Sequence, residues 1–368
     1  MIKGLGQLFF IGLEGPQLQK HEEDFIVNND IGGVVLFSRN VEDPKQIFEL
    51  TSKLQSLTKK QSSQLPMLIG IDMEGGRVHR LKPPFTKWPA LKHLGEVDST
   101  SISFRFAQSM GKELHSVGIN LNFAPCIDVL TNTKNEVIGD RSISSDPELV
   151  SKHSSALVRG YIKSEVLPCA KHFPGHGHTT LDSHEELPVS EKSLEDLKAV
   201  DLAPFQKAIR ARIDLLMTCH ILYKNIDPKY PATLSKIFIQ DLLKTEYRYR
   251  NLVITDDLDM KALRSNFSKE DIPVLALDAG CDMLLYCNEP ESHKVGFESV
   301  TKALSSKSLD NEAVKAKIES VKSFKQKKLA TISTPSFEDS VNIIGHPEHL
   351  RLAKAISKGE IPEDLMLT

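Results

Sequence analysis

The sequence has no apolar run long enough to span a membrane, no closely spaced cysteine pair and no marked excess of charge of either sign. Each absence excludes something. A membrane-spanning helix needs about 20 consecutive apolar residues. The N-terminal run in "MIKGLGQLFFIGLEG" is short, is broken by Gly12 and has no small-residue cleavage site behind it, so it reads neither as a span nor as a secretory signal. The formal net charge of −3 gives no electrostatic footprint for nucleic acid or an anionic membrane. The five cysteines (Cys126, Cys169, Cys219, Cys281, Cys287) are odd in number, show no CxxC spacing and sit mostly in apolar runs. They read as buried free thiols in a reducing compartment, and the expected location is cytoplasmic. Neither GxxxxGK[ST] nor GxGxxG occurs, so no nucleotide cradle is expected. No Pro/Ser-rich linker marks a second domain, and no repeat stands out beyond the alternation described next.

What is present is a series of eight short apolar runs: "QLFFIGL" (7–13), "GGVVLF" (32–37), "MLIGID" (67–72), "INLNFAPCIDV" (119–129), "VLPCAKH" (166–172), "LLMTCH" (215–220), "LVITDD" (252–257) and "CDMLLYC" (281–287). Continuous apolar character over a few residues suits strands buried on both faces. "INLNF" alternates instead, which predicts Ile119, Leu121 and Phe123 on one side. Helical patterns lie between the runs. Asp43-Pro44 offers an N-cap with Pro at the first helical position, followed by Ile47, Leu50, Leu54 and Leu57. Phe106, Met110, Leu114 and Val117 form a stripe that Gly118 closes. Ser268 and Gly280 bracket a third helix, with Pro273 near its first turn. Eight strands alternating with helices predict an α/β fold, a single-domain (β/α)₈ TIM-type barrel, in preference to a doubly wound open sheet. The barrel is expected over residues 1–334, its last part (301–334) a lysine-rich helical segment, with 335–368 a tail packed on or trailing from it.

A barrel enzyme builds its site at the C-terminal ends of its strands. Four runs end in ionisable residues: Asp72 on the third, Lys171-His172 on the fifth, His220 on the sixth, Asp256-Asp257 on the seventh. A strand buried on both faces has no packing use for a charge, and an unpaired buried charge is costly. A single such residue reads as a solvated strand end, but four together read as a site.

The stretch "KHFPGHGHTTLDSH" (171–184) holds four histidines. Pro174, Gly175 and Gly177 make it a tight loop after a strand. Three readings compete. His176 and His178 form an HxH pair, as in metal-dependent barrel hydrolases, but such a pair belongs on a first strand and no other ligand cluster shows obvious spacing. A phosphate loop lacks its motif. An acid/base device is the more economical reading. Asp182 and His184 are two residues apart, so in extended chain they share a side. Asp182 then fixes the tautomer of His184 and leaves its other nitrogen free for proton transfer near neutral pH. The partner would be a nucleophile or base on a rigid strand end, with Asp256 the leading candidate.

At this point a family pattern is complete. "IDMEGGRVHR" (71–80), "GDRS" (139–142), "KHFPGHG" followed by "DSH", "PATLS" (231–235) and "ITDDLDM" (254–260) resemble the β-N-acetylhexosaminidases of glycoside hydrolase family 3. They look most like its compact, single-barrel bacterial branch, which acts in peptidoglycan recycling. The resemblance runs from the first strand to about residue 290, with the motifs in the family's order. It implies that Asp256 is a nucleophile forming a glycosyl-enzyme intermediate and that His184, oriented by Asp182, is the general acid/base. It implies that Asp72, Arg80, Arg141, Lys171 and His172 hold the −1 sugar. The reaction implied is release of terminal non-reducing N-acetylglucosamine from muropeptide or peptidoglycan fragments, with retention of configuration. No cofactor or metal, and no nucleic-acid or membrane partner, is expected, and the chain is expected to act as a monomer. A histidine in place of the usual carboxylate acid/base is neutral once the leaving group departs. It would repel phosphate less, so a glycoside phosphorylase on the same scaffold is an alternative. The others are the His176/His178 metal-dependent hydrolase and a catalytically inactive sugar-binding relative. The chain departs from the family at Met73 (usually glutamine), His178 (aspartate or asparagine) and Asp259 (serine), and "TEYRYRN" (245–251) lacks the usual glycine-aromatic turn. Met73 and Asp259 are expected beside the subsites, and His178 is expected to be incidental.

Overall fold

Each of the eight apolar runs forms a strand. The computed structural model describes residues 2–179, 183, 186–289, 291–333 and 335–362. Numbered along the chain, the strands are β1 (Phe9–Gly12), β2 (Gly33–Leu36), β3 (Leu68–Ile71), β4 (Leu121–Asn122), β5 (Leu167–Phe173), β6 (Val189–Ser190), β7 (Leu215–Thr218), β8 (Leu222–Tyr223), β9 (Leu252–Asp257) and β10 (Met283–Tyr286). Eight of them close into a parallel barrel in the order β1-β2-β3-β4-β5-β7-β9-β10, while β6 and β8 pair with each other outside it. Ring closure is direct, with Phe9 opposite Leu284 and Phe10 opposite Gly33. The fold is the predicted (β/α)₈ barrel and not the open sheet.

The barrel interior is filled. Phe10 and Phe123 are fully buried and meet edge to face, 5.5 Å between ring centroids. They fit because β2 and β3 carry glycine beside them. A Cβ on Gly33 would lie 2.3 Å from the Phe10 ring, and one on Gly70 3.0 Å from the Phe123 ring. All five cysteines are buried and free.

The helices follow their caps. Asp43 accepts the amides of Lys45 and Gln46, and the helix Pro44–Leu57 buries Ile47, Leu50, Leu54 and Leu57. The helix Thr100–Ser116 buries Phe106, Met110 and Leu114, and Gly118 follows at φ 78°. Two readings gain detail. In "INLNF" both alternate sets are buried, because Asn120 and Asn122 turn to neighbouring backbone. Asn120 bonds Ile69 N and Met67 O, and Asn122 bonds Met73 N and O. The segment 301–334 is not one helix. Lys307 at φ 61° ends the helix Ser292–Ser306, and Asp310 caps a new one, Asn311–Lys328. Beyond it, the helices Phe337–Ile343 and Pro347–Ser357 pack against Thr100–Ser116, the second also against Lys92–Val97. Among the described residues, no helix is long and apolar enough to cross a membrane.

The helix Asn311–Lys328 sends one charge into the base of the barrel. Lys325 is fully buried and donates to Gln7 Oε1 and Gly32 O, both at 2.8 Å. Burial lowers its ammonium to about 7, against a smaller opposing pull from Asp30. A lysine lowered in the fold and ordinary when unfolded lends stability that is fully present above the unfolded pKa of roughly 10.4 and is lost as pH falls toward 7. Lys325→Met is therefore expected to lie further below wild type in unfolding free energy as pH climbs from about 7 to about 10. The change in that gap should be at most on the order of 4 kcal/mol. Chemical unfolding of both proteins across that range measures it, and a gap that stays constant with pH overturns the assignment.

Candidate active site

The carboxyl ends of the barrel strands bring the charged residues together. Asp72 follows β3, Lys171 and His172 lie on β5, and Asp256 lies on β9. Lys171 Nζ sits 2.6 Å from Asp72 Oδ1 and 2.7 Å from Glu74 Oε1. Arg141, from the turn Gly139–Arg141, grips Glu74 with two parallel bonds, Nε to Oε2 at 2.9 Å and Nη2 to Oε1 at 2.8 Å. This fork-on-carboxylate geometry is the strong form of an ion pair. Glu74 is 1% exposed and Lys171 3%. Burial alone would raise the Glu74 carboxyl, but the Arg141 and Lys171 cations beside it hold it well below the usual range. Burial likewise opposes the charge on Lys171, and Asp72 and Glu74 reverse that, raising it.

His172 is held from behind. Its Nδ1 lies 2.7 Å from Asp128 Oδ2, and its amide also points at that carboxylate. Burial would raise Asp128, yet His172 and His176 bring it down to about 2. An ionised carboxylate only accepts, so Nδ1 carries the hydrogen. Nε2 is left 3.4 Å from Arg141 Nη2.

Asp256 is different from the other carboxylates. It is half-buried, and its bonded partner is a backbone amide, that of Asp257, at 2.8 Å. Burial pushes it up, but His172, His220, that amide and Lys171 outweigh burial and leave it below the ordinary aspartate value. Its neighbour Asp257 goes the other way. Burial, then the charges of Asp259 and Asp256, raise it to about 7. Arg80 has a buried Nε with no hydrogen-bond partner among the described residues, and its Cζ lies 5.6 Å from the Phe37 ring centroid.

Asp182 and His184 lie outside the described residues. Ser183 between them is described. Its Oγ is 3.2 Å from His176 Nε2, and its carbonyl accepts the Ala262 amide, just past β9. The HxH metal reading does not survive the geometry. His176 spends its two ring nitrogens on Ser183 and Thr179, and burial together with His172 lowers it to about 4. His178 faces elsewhere, with Nδ1 3.2 Å from Asp201 Oδ1 and Nε2 2.9 Å from Ser190 Oγ. His178 is thus not incidental, since it ties the loop to β6 and Asp201. Asp259 lies beside Asp257, its amide donating to Asp257 Oδ1 at 3.1 Å. It pairs with Arg264 and Ser292, which cements the segment after β9 to the helix Ser292–Ser306. Met73 is buried under the Asn122 bonds to its backbone.

Two residues join the cluster that the sequence reading left out, Glu74 and Asp128, and a third, His220, gains a place in it. Asp128 was visible in principle, as a carboxylate near the end of an apolar run. His220 was noticed as a strand end but given no role. Its Nε2 is 3.0 Å from Asp257 O and its Nδ1 2.8 Å from Thr233 Oγ1. This explains "PATLS", which supplies Thr233 and also Ser235, bonded to Asp227 at 2.6 Å.

Comparison with known proteins now decides the family. The model of the glycosyl hydrolase family 3 N terminal domain matches residues 2–324. The chain belongs to glycosyl hydrolase family 3. It is a glycoside hydrolase. This family 3 enzyme is 37% identical over 294 residues to a Beta-hexosaminidase of Nitrosomonas eutropha, covering 78% of this chain and 82% of that one. It superposes on the family 3 β-N-acetylglucosaminidase from Paenibacillus sp. with a TM-score of 0.91 and 34% identity, over 97% of this chain and 68% of that one. NagZ from Neisseria gonorrhoeae, solved in complex with N-trifluoroacetyl-D-glucosamine, gives a TM-score of 0.76 and 26% identity over 96% and 98%.

Proposed function

We propose that this family 3 enzyme is an exo-acting, retaining β-N-acetylglucosaminidase that removes terminal non-reducing N-acetylglucosamine from muropeptide or peptidoglycan fragments. One observation carries the mechanistic part. Among the described carboxylates at the barrel mouth, Asp72, Glu74 and Asp128 are engaged by Lys171, Arg141 and His172, and Asp257 is pushed toward neutrality. Among the described residues, Asp256 alone combines partial exposure, a hydrogen bond only to an amide and a lowered pKa, which is what an ionised nucleophile needs. The N-acetyl specificity rests on the hexosaminidase relatives.

The chemistry then runs in two displacements. Asp256 attacks C1 from the face opposite the leaving group while His184, oriented by Asp182, gives its proton to the glycosidic oxygen. The bond to the aglycone breaks and an α-glycosyl ester on Asp256 forms. His184, now neutral, takes a proton from water as that water attacks C1. The ester bond breaks and the β-anomer is released. Asp72, Arg80, Arg141, Lys171 and His172 would meet the sugar hydroxyls, the His172 Nε2 being set for this by Asp128.

Hydrolysis of an aryl β-N-acetylglucosaminide followed by proton NMR tests the reading. The β-anomer of N-acetylglucosamine should appear first and mutarotate later, and the matching glucoside should be a far poorer substrate. First appearance of the α-anomer would rule out the double displacement. Turnover indifferent to phosphate, with no sugar 1-phosphate formed, separates hydrolase from phosphorylase.

A further inference from the structure

The family match ends at residue 324, yet the chain beyond it comes against the stretch that follows Asp72, Glu74 and Arg80, with Gly345 close to Pro84 and His349 beside Trp88. The loop that carries those three residues leaves β3 and folds back through a Gly75–Val78 bridge. It is pinned at two points. The Gly76 amide donates to Trp88 O at 2.9 Å, and His79 Nε2 lies 2.9 Å from Thr86 O. His79 immediately precedes Arg80, so residues 86–88 govern where Arg80 sits.

Residues 86–88 are in turn held by one buried carboxylate. Glu113, on the helix Thr100–Ser116, is 1% exposed. From the loop it accepts the Thr86 amide at 3.0 Å and the Thr86 hydroxyl at 2.6 Å. From the C-terminal segment it accepts the Gly345 amide at 3.1 Å and His349 Nδ1 at 2.8 Å. Four donors from two distant stretches of chain converge on two oxygens. The fit around them is close. Gly345 adopts φ 63°, and a Cβ there would lie 2.5 Å from Pro84 O. The His349 ring lies 6.0 Å from that of Trp88.

We propose that residues 335–362 are a positioning element of the active site: through His349 and Gly345 on Glu113 they hold the loop that presents Arg80 to the sugar. The proposal rests on the reading that Arg80 binds substrate. Glu113 and His349 touch no substrate on this view, and their effect passes through Thr86 and His79.

The test uses the full chain. His349→Leu keeps an apolar contact for Trp88 and removes the donor to Glu113. His349→Asn puts an amide nitrogen near the position of Nδ1 and restores it. Thr86→Val removes a donor from the loop side and carries the same expectation should the leucine variant fold poorly. In His349→Leu, amide exchange over residues 79–88 should quicken and KM for the aryl glycoside should rise on the order of 10-fold, with kcat changed less than about 2-fold. His349→Asn should behave like wild type. In an Arg80→Ala background, His349→Leu should add no further loss. An unchanged KM, or an equal further loss without Arg80, overturns the proposal, even if the melting midpoint falls. If wild type itself hydrolyses no β-N-acetylglucosaminide, the functional reading fails and takes the proposal with it. If wild type is active and only KM fails to move, the proposal alone falls.

Discussion

Asp256→Gly should lose on the order of 10⁴-fold or more in kcat/KM on an aryl β-N-acetylglucosaminide, the scale on which removing a member of a covalent-catalysis unit acts. The protein should stay folded, because Asp256 is half-buried and its bonded partner is the Asp257 amide, which a water can satisfy. The vacated space should also admit a small anion. Azide attacking C1 once, with no second displacement, inverts the centre, so the expected product is the α-glycosyl azide and its formation should rise with azide concentration. The aryl leaving group needs little help from an acid, so this rescue is independent of His184. Activity near that of wild type, or a β-glycosyl azide, would show that Asp256 is not the nucleophile.

The second large effect is at Glu74. Its carboxylate is shared by Arg141 and Lys171; Glu74 and Lys171 are buried and Arg141 is nearly so. Glu74→Gln keeps the shape and removes the charge, leaving Lys171 its bond to Asp72 and taking from Arg141 its forked carboxylate. Breaking a buried pair from one side costs roughly 3–5 kcal/mol, because the abandoned charge stays in a poor solvent. Denaturant unfolding should show a loss of that size. Catalysis should fall as well, since Lys171 and Arg141 would no longer be held for the sugar. Adding Arg141→Met to Glu74→Gln should recover part of the stability and none of the activity. If the two losses simply add, the pair is not coupled and the account of Glu74 is wrong.

Why some of this was legible in sequence and some was not comes down to distance along the chain. The barrel was legible because a strand buried on both faces must be apolar throughout, and eight such runs recur. Asp72, Lys171, His172 and Asp256 were legible because a charge at the end of such a run has no packing reason to be there. Glu74 and Asp128 were harder, because what ties them into the cluster is a partner 67 or 44 residues away. His178 was misjudged for the same reason, its carboxylate being 23 residues on. Glu113 gives no local sign at all. It sits on an ordinary amphipathic helix, and its partners are 27 and 236 residues distant. The split of 301–334 was missed because lysine-rich periodicity runs through both helices and hides the left-handed turn at Lys307.

The two phenylalanines inside the barrel carry a consequence for traffic. With Phe10 and Phe123 seated where Gly33 and Gly70 make room, the lumen is stoppered beneath the charged cluster. The mouth is a cul-de-sac, with a floor and no far side. A glycan cannot thread through the barrel, so whatever sugar binds there enters by the mouth. A released product must leave through the same opening by which the substrate came.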